Sequence, residues 1–302
     1  MSDKGIGAPG VLFCFGLGYS AGFLARSLAA WGWRVAGTSR DEASCARLAA
    51  EGFTMHRLAP DRPLAAPAAA LAGATHLLIS VPPDAAGDPV LAAHGANIAA
   101  LSELRWVGYL STTGVYGDRG GAWVDESTDL APSGERGRRR VAAEAQWLDL
   151  HCRHGLPVHI FRLAGIYGPG RSALDTVREG RARRIDKPGQ VFSRIHVADI
   201  AATLRASIAM PDPGAVYNVC DDDPAPPEAV IAYACELLGV TPPPLLPFDA
   251  AELTPMARSF YDDNKRVSNR RIKEELGVKL LYPSYKDGLR ALLDPAAPRS
   301  PA

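Results

Sequence analysis

Two stretches of this chain place residues at spacings that can do chemistry, and the first is Gly16-Leu17-Gly18-Tyr19-Ser20-Ala21, directly after the apolar run Val11–Phe15. A glycine in the first position permits a tight turn, and one in the third lets the backbone come close to a ligand. The small Ala21 lets the following helix pack against the strand. A glycine turn alone is commonplace. Here it lies between a predicted strand and a predicted helix over 21–31 that leads to another strand over 34–38. In that setting the helix N-terminus holds a pyrophosphate, so Gly16, Gly18, Tyr19 and Ser20 are read as binding a dinucleotide.

The end of the second strand, Thr38-Ser39-Arg40-Asp41, bears on which dinucleotide. Sites for NAD usually end this strand with a carboxylate that holds the ribose 2′-hydroxyl. Arg40 can instead stack on adenine and pair with a 2′-phosphate, and Ser39 can add a hydroxyl donor, which favours NADP. Asp41 is more simply the N-cap of the next helix, although it can reach a ribose in the alternative, NAD. Val81 and Pro82, at the end of the fourth predicted strand, are assigned to the same cofactor site.

The second stretch is Ser111-Thr112-Thr113-Gly114-Val115-Tyr116-Gly117. With Arg162-Leu163-Ala164-Gly165-Ile166-Tyr167-Gly168-Pro169-Gly170, Ile195-His196-Val197-Ala198-Asp199-Ile200 and Tyr217-Asn218-Val219, it resembles the extended short-chain dehydrogenase/reductases, the nucleotide-sugar epimerases and dehydratases. KPGQVFSRIHVADI and KRVSNRRIKEELG make the pattern similar to the atypical, YeeZ-like branch. The resemblance spans nearly the whole chain. It implies that Thr112 orients a substrate oxygen, and that Leu163 and Ala164 line the nicotinamide pocket. It also implies a Tyr acid/base and a Lys four residues later. At those positions the chain has Arg136 and Arg140.

A guanidinium cannot give up a proton near neutral pH, so the usual relay is absent, although Arg140 can still donate to a ribose. Arg136, Arg138, Arg139 and Arg140 can equally form a solvated helical face. Tyr116 is the nearest substitute acid by sequence, and Tyr167 is a second candidate on the substrate side. Packing is the plainer role for each. Thr112 can likewise be an ordinary strand-end hydroxyl bonded to backbone. Nucleotide-sugar enzymes of the resembled family carry an Arg four residues before the His, where this chain has Phe192; Arg194, two residues on, is the remaining candidate for an anionic substrate.

The elements that must position these residues alternate. Strands are predicted over 11–15, 34–38, 54–57, 76–81, 106–111 and 158–163, and helices over 21–31, 41–51 and 64–72, with more between the later strands. Such alternation predicts an α/β fold with a doubly wound parallel sheet, a Rossmann core over 1–165. From 166 to 302 Pro and Gly interrupt the chain more often. This is the expected smaller substrate-side region, with a strand and helices returning to the core and helices over 197–210, 227–238 and 268–276.

The 33 basic and 33 acidic side chains cancel, so no global field draws the protein to nucleic acid or an anionic membrane. No leader-like start and no apolar run of spanning length is present, and a cytoplasmic location is the expectation. Five scattered cysteines argue against a disulfide framework and a zinc site, and no metal is expected. The expected partner is an unidentified small-molecule substrate, and a homodimer is compatible. An NADP-dependent oxidoreductase leads among the readings. A non-catalytic NADP-binding or sensing protein and a nucleotide-sugar epimerase or dehydratase are the alternatives.

Overall fold

The computed structural model describes residues 8–293. Strands β1 (Val11–Phe15), β2 (Arg34–Ser39), β3 (Thr54–Arg57), β4 (His76–Ile79) and β5 (Trp106–Thr112) alternate with helices α1 (Tyr19–Ala30), α2 (Glu42–Ala50), α3 (Pro67–Ala70) and α4 (Pro89–Ala99). The short β6 (Trp123–Val124), α5 (Glu135–His154) and β7 (Val158–Leu163) follow. The chain continues through β8 (Gly165–Tyr167), α6 (Ala173–Arg178), β9 (Arg184–Asp186), β10 (Arg194–His196), α7 (Val197–Ala209), β11 (Val216–Val219) and α8 (Pro227–Leu238). It ends with β12 (Leu245–Pro247), α9 (Pro255–Phe260), β13 (Arg266–Val267), α10 (Arg270–Glu274) and α11 (Tyr285–Leu293).

Seven strands form one sheet in the order β11-β7-β5-β4-β1-β2-β3, every adjacent pair parallel. Parallel strands need crossover helices, which cover both faces and turn the central strands into continuous apolar runs. One face packs Leu24 and Leu28 of α1 and Leu204 and Ile208 of α7 over Trp106. The other packs Phe13, Phe15, Val107 and Tyr109 under Trp147 of α5. Caps fix where helices begin: Asp41 accepts from Ser44 N at 2.7 Å, and Asp88 from Val90 N at 2.9 Å while also holding Trp147 Nε1 at 3.0 Å.

The expected elements are present with three adjustments. The helix expected over 64–72 shrinks to one turn at Pro67–Ala70, because alanines without a buried face offer little to hold a longer helix. The fourth strand stops at Ile79, two residues before Val81, and the helix expected over 268–276 is Arg270–Glu274. The returning strand is β11, which closes the sheet beside β7. Three small parallel pairs, β8 with β10, β9 with β12 and β6 with β13, build the region beyond the sheet's C-terminal edge. Among the described residues no helix is long and apolar enough to cross a membrane.

Candidate functional site

The chain leaves β1 and reaches α1 through Gly16, whose φ of +85° suits glycine. A Cβ there would stand 3.1 Å from Val81 Cγ2 and 3.3 Å from Val81 N, so the bare backbone lets the turn close against the loop after β4. Thr38 pins it from β2: its hydroxyl accepts from Gly16 N at 2.8 Å and its carbonyl from Leu17 N at 2.7 Å. The turn lies where strand order reverses between β1 and β4, the crevice that takes ligands in doubly wound sheets.

Gly18 caps α1 without a side chain, and no acidic residue stands in the helix's first turn. A Cβ on Gly18 would meet no atom within 4 Å. The first-turn amides therefore have no side-chain acceptor, the positive helix end faces open space, and a pyrophosphate fits this cradle. Tyr19 is turned aside: its hydroxyl donates to Pro169 O at 3.1 Å, and the Arg171 guanidinium stands 5.8 Å from its ring centre. Burial pushes that phenol up to about 12. Ser20 is buried in the same turn, and Pro82 is exposed beside Val81.

At the end of β2 Arg40 is exposed, and its guanidinium makes no ion pair or hydrogen bond among the described residues. Ser39 Oγ accepts from Asp41 N at 3.3 Å and keeps its own proton to donate. Asp41 caps α2, as the simpler reading had it.

At the far side of the crevice, register pairs Thr112 with Leu163 and Leu163 with Val219, so the ends of β5, β7 and β11 meet. Thr112 Oγ1 accepts from Gly114 N at 3.1 Å, capping a short 3-10 turn over Thr113–Tyr116. Leu163 and Ala164 lie beside it, each 6% exposed.

Tyr116 has no accessible surface. Its hydroxyl donates to Asn218 Oδ1 at 2.8 Å and accepts from Arg162 Nη1 at 2.9 Å, and burial raises its pKa against the pull of Arg162. Arg162 in turn grips Glu144, with Nη2 2.8 Å from Oε2, and Ser111 Oγ donates to the same carboxylate. This Ser111–Glu144–Arg162–Tyr116–Asn218 chain lies beneath the strand ends and gives Tyr116 a supporting position. Sequence reading passed over Arg162 and Glu144. The signal was there: Arg162 interrupts the apolar strand VHIFRL, and Glu144 sits in the apolar stretch VAAEAQW.

The arginines of α5 divide. Arg138 and Arg139 pair with Glu135 on the solvent side, and Arg136 is exposed. Arg140 turns inward and donates to Leu110 O at 2.6 Å and Tyr109 Oη at 3.1 Å. The four therefore do not form one solvated face. Gly137, between them, lies so close to Gly114 that a Cβ would come within 2.9 Å of Gly114 O.

Tyr167 and Arg194 meet at a cavity of about 500 Å³ beyond the sheet, bordered by α6, α8 and α11. Tyr167 is 7% exposed, and its hydroxyl donates to Ser284 O at 3.3 Å. Arg194 Nη1 donates to Phe192 O at 2.9 Å and Ala225 O at 3.0 Å. His196 caps α7 through Nδ1, and Asp199 accepts from Leu281 N and Tyr282 N, so both serve as anchors of the fold.

No family model matches the chain. Protein YeeZ of Escherichia coli K12 is 30% identical over 280 residues, covering 89% of this chain and 94% of YeeZ. The chain belongs to the YeeZ-like branch of the NAD-dependent epimerase/dehydratase superfamily. A conserved protein of unknown function from Silicibacter pomeroyi is 58% identical, with a TM-score of 0.88 over 94% of this chain and 98% of that one. A candidate NAD-dependent epimerase/dehydratase from Methylobacillus flagellatus is 27% identical, with a TM-score of 0.66 over 94% and 97%. Within this superfamily the YeeZ-like chain described here keeps the glycine turn and the Thr112 strand end but places Arg136 and Arg140 where the resemblance implies Tyr and Lys.

Proposed function

We propose that this YeeZ-like chain binds NADP(H) between β1 and β4 and acts as an oxidoreductase on a small molecule without a tyrosine–lysine relay. The observation that carries the reading is the uncapped N-terminus of α1 facing open space at Gly18. The Methylobacillus relative, named as a candidate NAD-dependent epimerase/dehydratase, supports a nicotinamide cofactor, and the choice of its phosphorylated form rests on Ser39 and Arg40. In this reading the turn Gly16, Gly18, Tyr19 and Ser20 holds the pyrophosphate, and Ser39 and Arg40 take the 2′-phosphate. Val81 and Pro82 wall the crevice, and Thr112, Leu163 and Ala164 border the nicotinamide. Arg140, anchored by one nitrogen, offers its others to the ribose.

A nicotinamide, when bound, supplies hydride chemistry. The chain's contribution is to hold, orient and exclude. Thr112 already accepts from Gly114 N, so its proton is free to donate to a substrate oxygen. An enclosed Tyr116 and guanidiniums at 136 and 140 leave no proton donor at the family's acid position. The substrates best served are acceptors whose reduced form is a stabilised anion that takes its proton from water, such as quinones and conjugated carbonyls. Tyr167 and Arg194 form the proposed substrate side.

The test is NADPH binding by calorimetry, followed by loss of nicotinamide absorbance with quinones, conjugated carbonyls, simple aldehydes and simple ketones. Turnover with the first two and little with the last two is expected; absence of NADPH binding refutes the reading. The missing acid also favours a second reading, an NADP-binding sensor, for which binding without turnover on any acceptor is the signature. Phe192, where nucleotide-sugar enzymes carry an arginine, counts against the epimerase or dehydratase alternative.

A further inference from the structure

The cavity bordered by α6, α8 and α11 concentrates guanidinium groups. Arg171, Arg181, Arg183 and Arg194 line it, against two carboxylates, Asp175 and Glu179. Both carboxylates are engaged: Asp175 accepts from Ser172 N at 2.9 Å and Ser172 Oγ at 2.6 Å in a capping box, and Glu179 pairs with Arg181. The other three arginines make no ion pair among the described residues. Arg183 Nη1 donates to Glu252 O at 2.6 Å, Arg194 Nη1 to two carbonyls, and Arg171 rests by the Tyr19 ring.

Arg171 and Arg183 are exposed to solvent and Arg194 is half-buried, and the carbonyls that hold Arg183 and Arg194 orient them without cancelling their charge. Burial does lower the pKa of Arg194. The acid facing it from the end of β11, Asp221, is 1% exposed, and burial pushes it up to about 8. That carboxyl and Arg194 act on each other, Asp221 favouring the charged guanidinium and Arg194 drawing the carboxyl down against its burial. The remaining wall includes Val230, Ile231, Tyr285 and Leu289, together with the hydroxyl side chains of Ser172 and Thr176. A concave site with convergent cations over an apolar floor suits a small organic anion rather than a bare ion.

We propose that this cavity binds a small phosphorylated metabolite, with the arginines taking its phosphate and the apolar wall its carbon skeleton. Guanidinium forks match the several oxygens of a phosphate, and arginines from separate elements can surround it. The anchor is distinct from the arginine that nucleotide-sugar enzymes carry, since Phe192 stands at that position. The inference deepens the substrate reading above, because Tyr167 and Arg194 line the same cavity.

The experiment is calorimetric titration of the full chain at low salt with glycerol 3-phosphate, with succinate and glycerol as comparison ligands, in wild type, Arg183→Ala, Arg181→Ala and Arg40→Ala. Glycerol 3-phosphate is expected to bind with a Kd of about 1 mM or tighter, weakened about tenfold by Arg183→Ala, less by Arg181→Ala because Glu179 already offsets that charge, and unchanged by Arg40→Ala. Glycerol is expected not to bind. NADPH affinity in Arg183→Ala is expected to match wild type, which shows the variant folded and the two sites separate. No binding of glycerol 3-phosphate, equal binding of succinate, or loss in Arg40→Ala in place of Arg183→Ala overturns the proposal. NADPH binding that persists in that event leaves the cofactor reading standing. Phosphate binding that persists without NADPH binding sinks the cofactor reading alone.

Discussion

Replacing Arg40 with Ala tests the proposed preference for the phosphorylated cofactor. Arg40 lies at the tip of β2, exposed and without an ion pair among the described residues, so its removal breaks no fold contact and leaves no buried partner exposed. Two opposite unit charges about 4 Å apart are worth ~1 kcal/mol in water and ~4 kcal/mol near a protein surface. A charged hydrogen bond is worth about 1.5–3 kcal/mol. Exposure places Arg40 toward the low end, and Arg57 keeps a second cation nearby, donating to Arg40 O at 3.2 Å and paired with Glu42 at 2.9 Å. About 1.5 kcal/mol is therefore expected, a tenfold loss for NADPH against about twofold or less for NADH. Calorimetry with both cofactors in ~0.05 M and ~0.5 M salt reads it out, and screening should shrink the NADPH advantage of wild type at the higher salt. Equal losses for the two cofactors would show that Arg40 only stacks on adenine. No loss at all would remove it from the site.

Gly18→Val should abolish NADPH binding at a little-changed thermal midpoint, because a Cβ there meets no protein atom within 4 Å and the branched side chain would stand in the proposed pyrophosphate space; retained affinity would move the pyrophosphate elsewhere. Arg162→Met should destabilise by about 3–5 kcal/mol in urea titration by stranding Glu144, 2% exposed, and adding Glu144→Gln should recover part of that; a loss under 1 kcal/mol would show the pair to be incidental. Burial lowers the pKa of His76, with Arg105 adding to the effect, and of His159 and His196, each from 6.5 to about 4. The folded chain then binds fewer protons than the unfolded one between those values, so stability is full above pH 6.5 and falls toward pH 4, by up to roughly 3 kcal/mol per histidine. Flat stability from pH 7 to 4.5 would contradict this. Tyr116→Phe should leave any reductase kcat within about twofold, and a large fall would return Tyr116 to the chemistry.

Much of the architecture was legible because parallel strands buried on both faces announce themselves as apolar runs such as VLFCF and HLLI. The glycine turn was legible because its chemistry is local. Arg140 was less so: sequence spacing places it on α5, but only packing against Tyr109 and Leu110 shows which way it turns. For Tyr116 the sequence leaves a substitute acid and plain packing both open, and its enclosure depends on Arg162 and Asn218, 46 and 102 residues away in the chain. The arginine cavity was only half legible. Arg194 was visible beside its motif, whereas its neighbours come from the turn before α6, the loop after it, α8 and α11, whose approach is a matter of tertiary contact.

The closure of the sheet by β11 bears on how the chain is made. Strand β7 pairs with β5 on one side and with β11, some 50 residues later, on the other. Helix α7, which covers Trp106 and whose Ser207 Oγ accepts from its indole N–H, is also translated after residue 196. A nascent chain stopped at residue 165 would thus carry the whole glycine turn and yet present a bare β7 edge and an uncovered tryptophan, a template for pairing with another chain. A fragment of that length should be sticky when expressed alone.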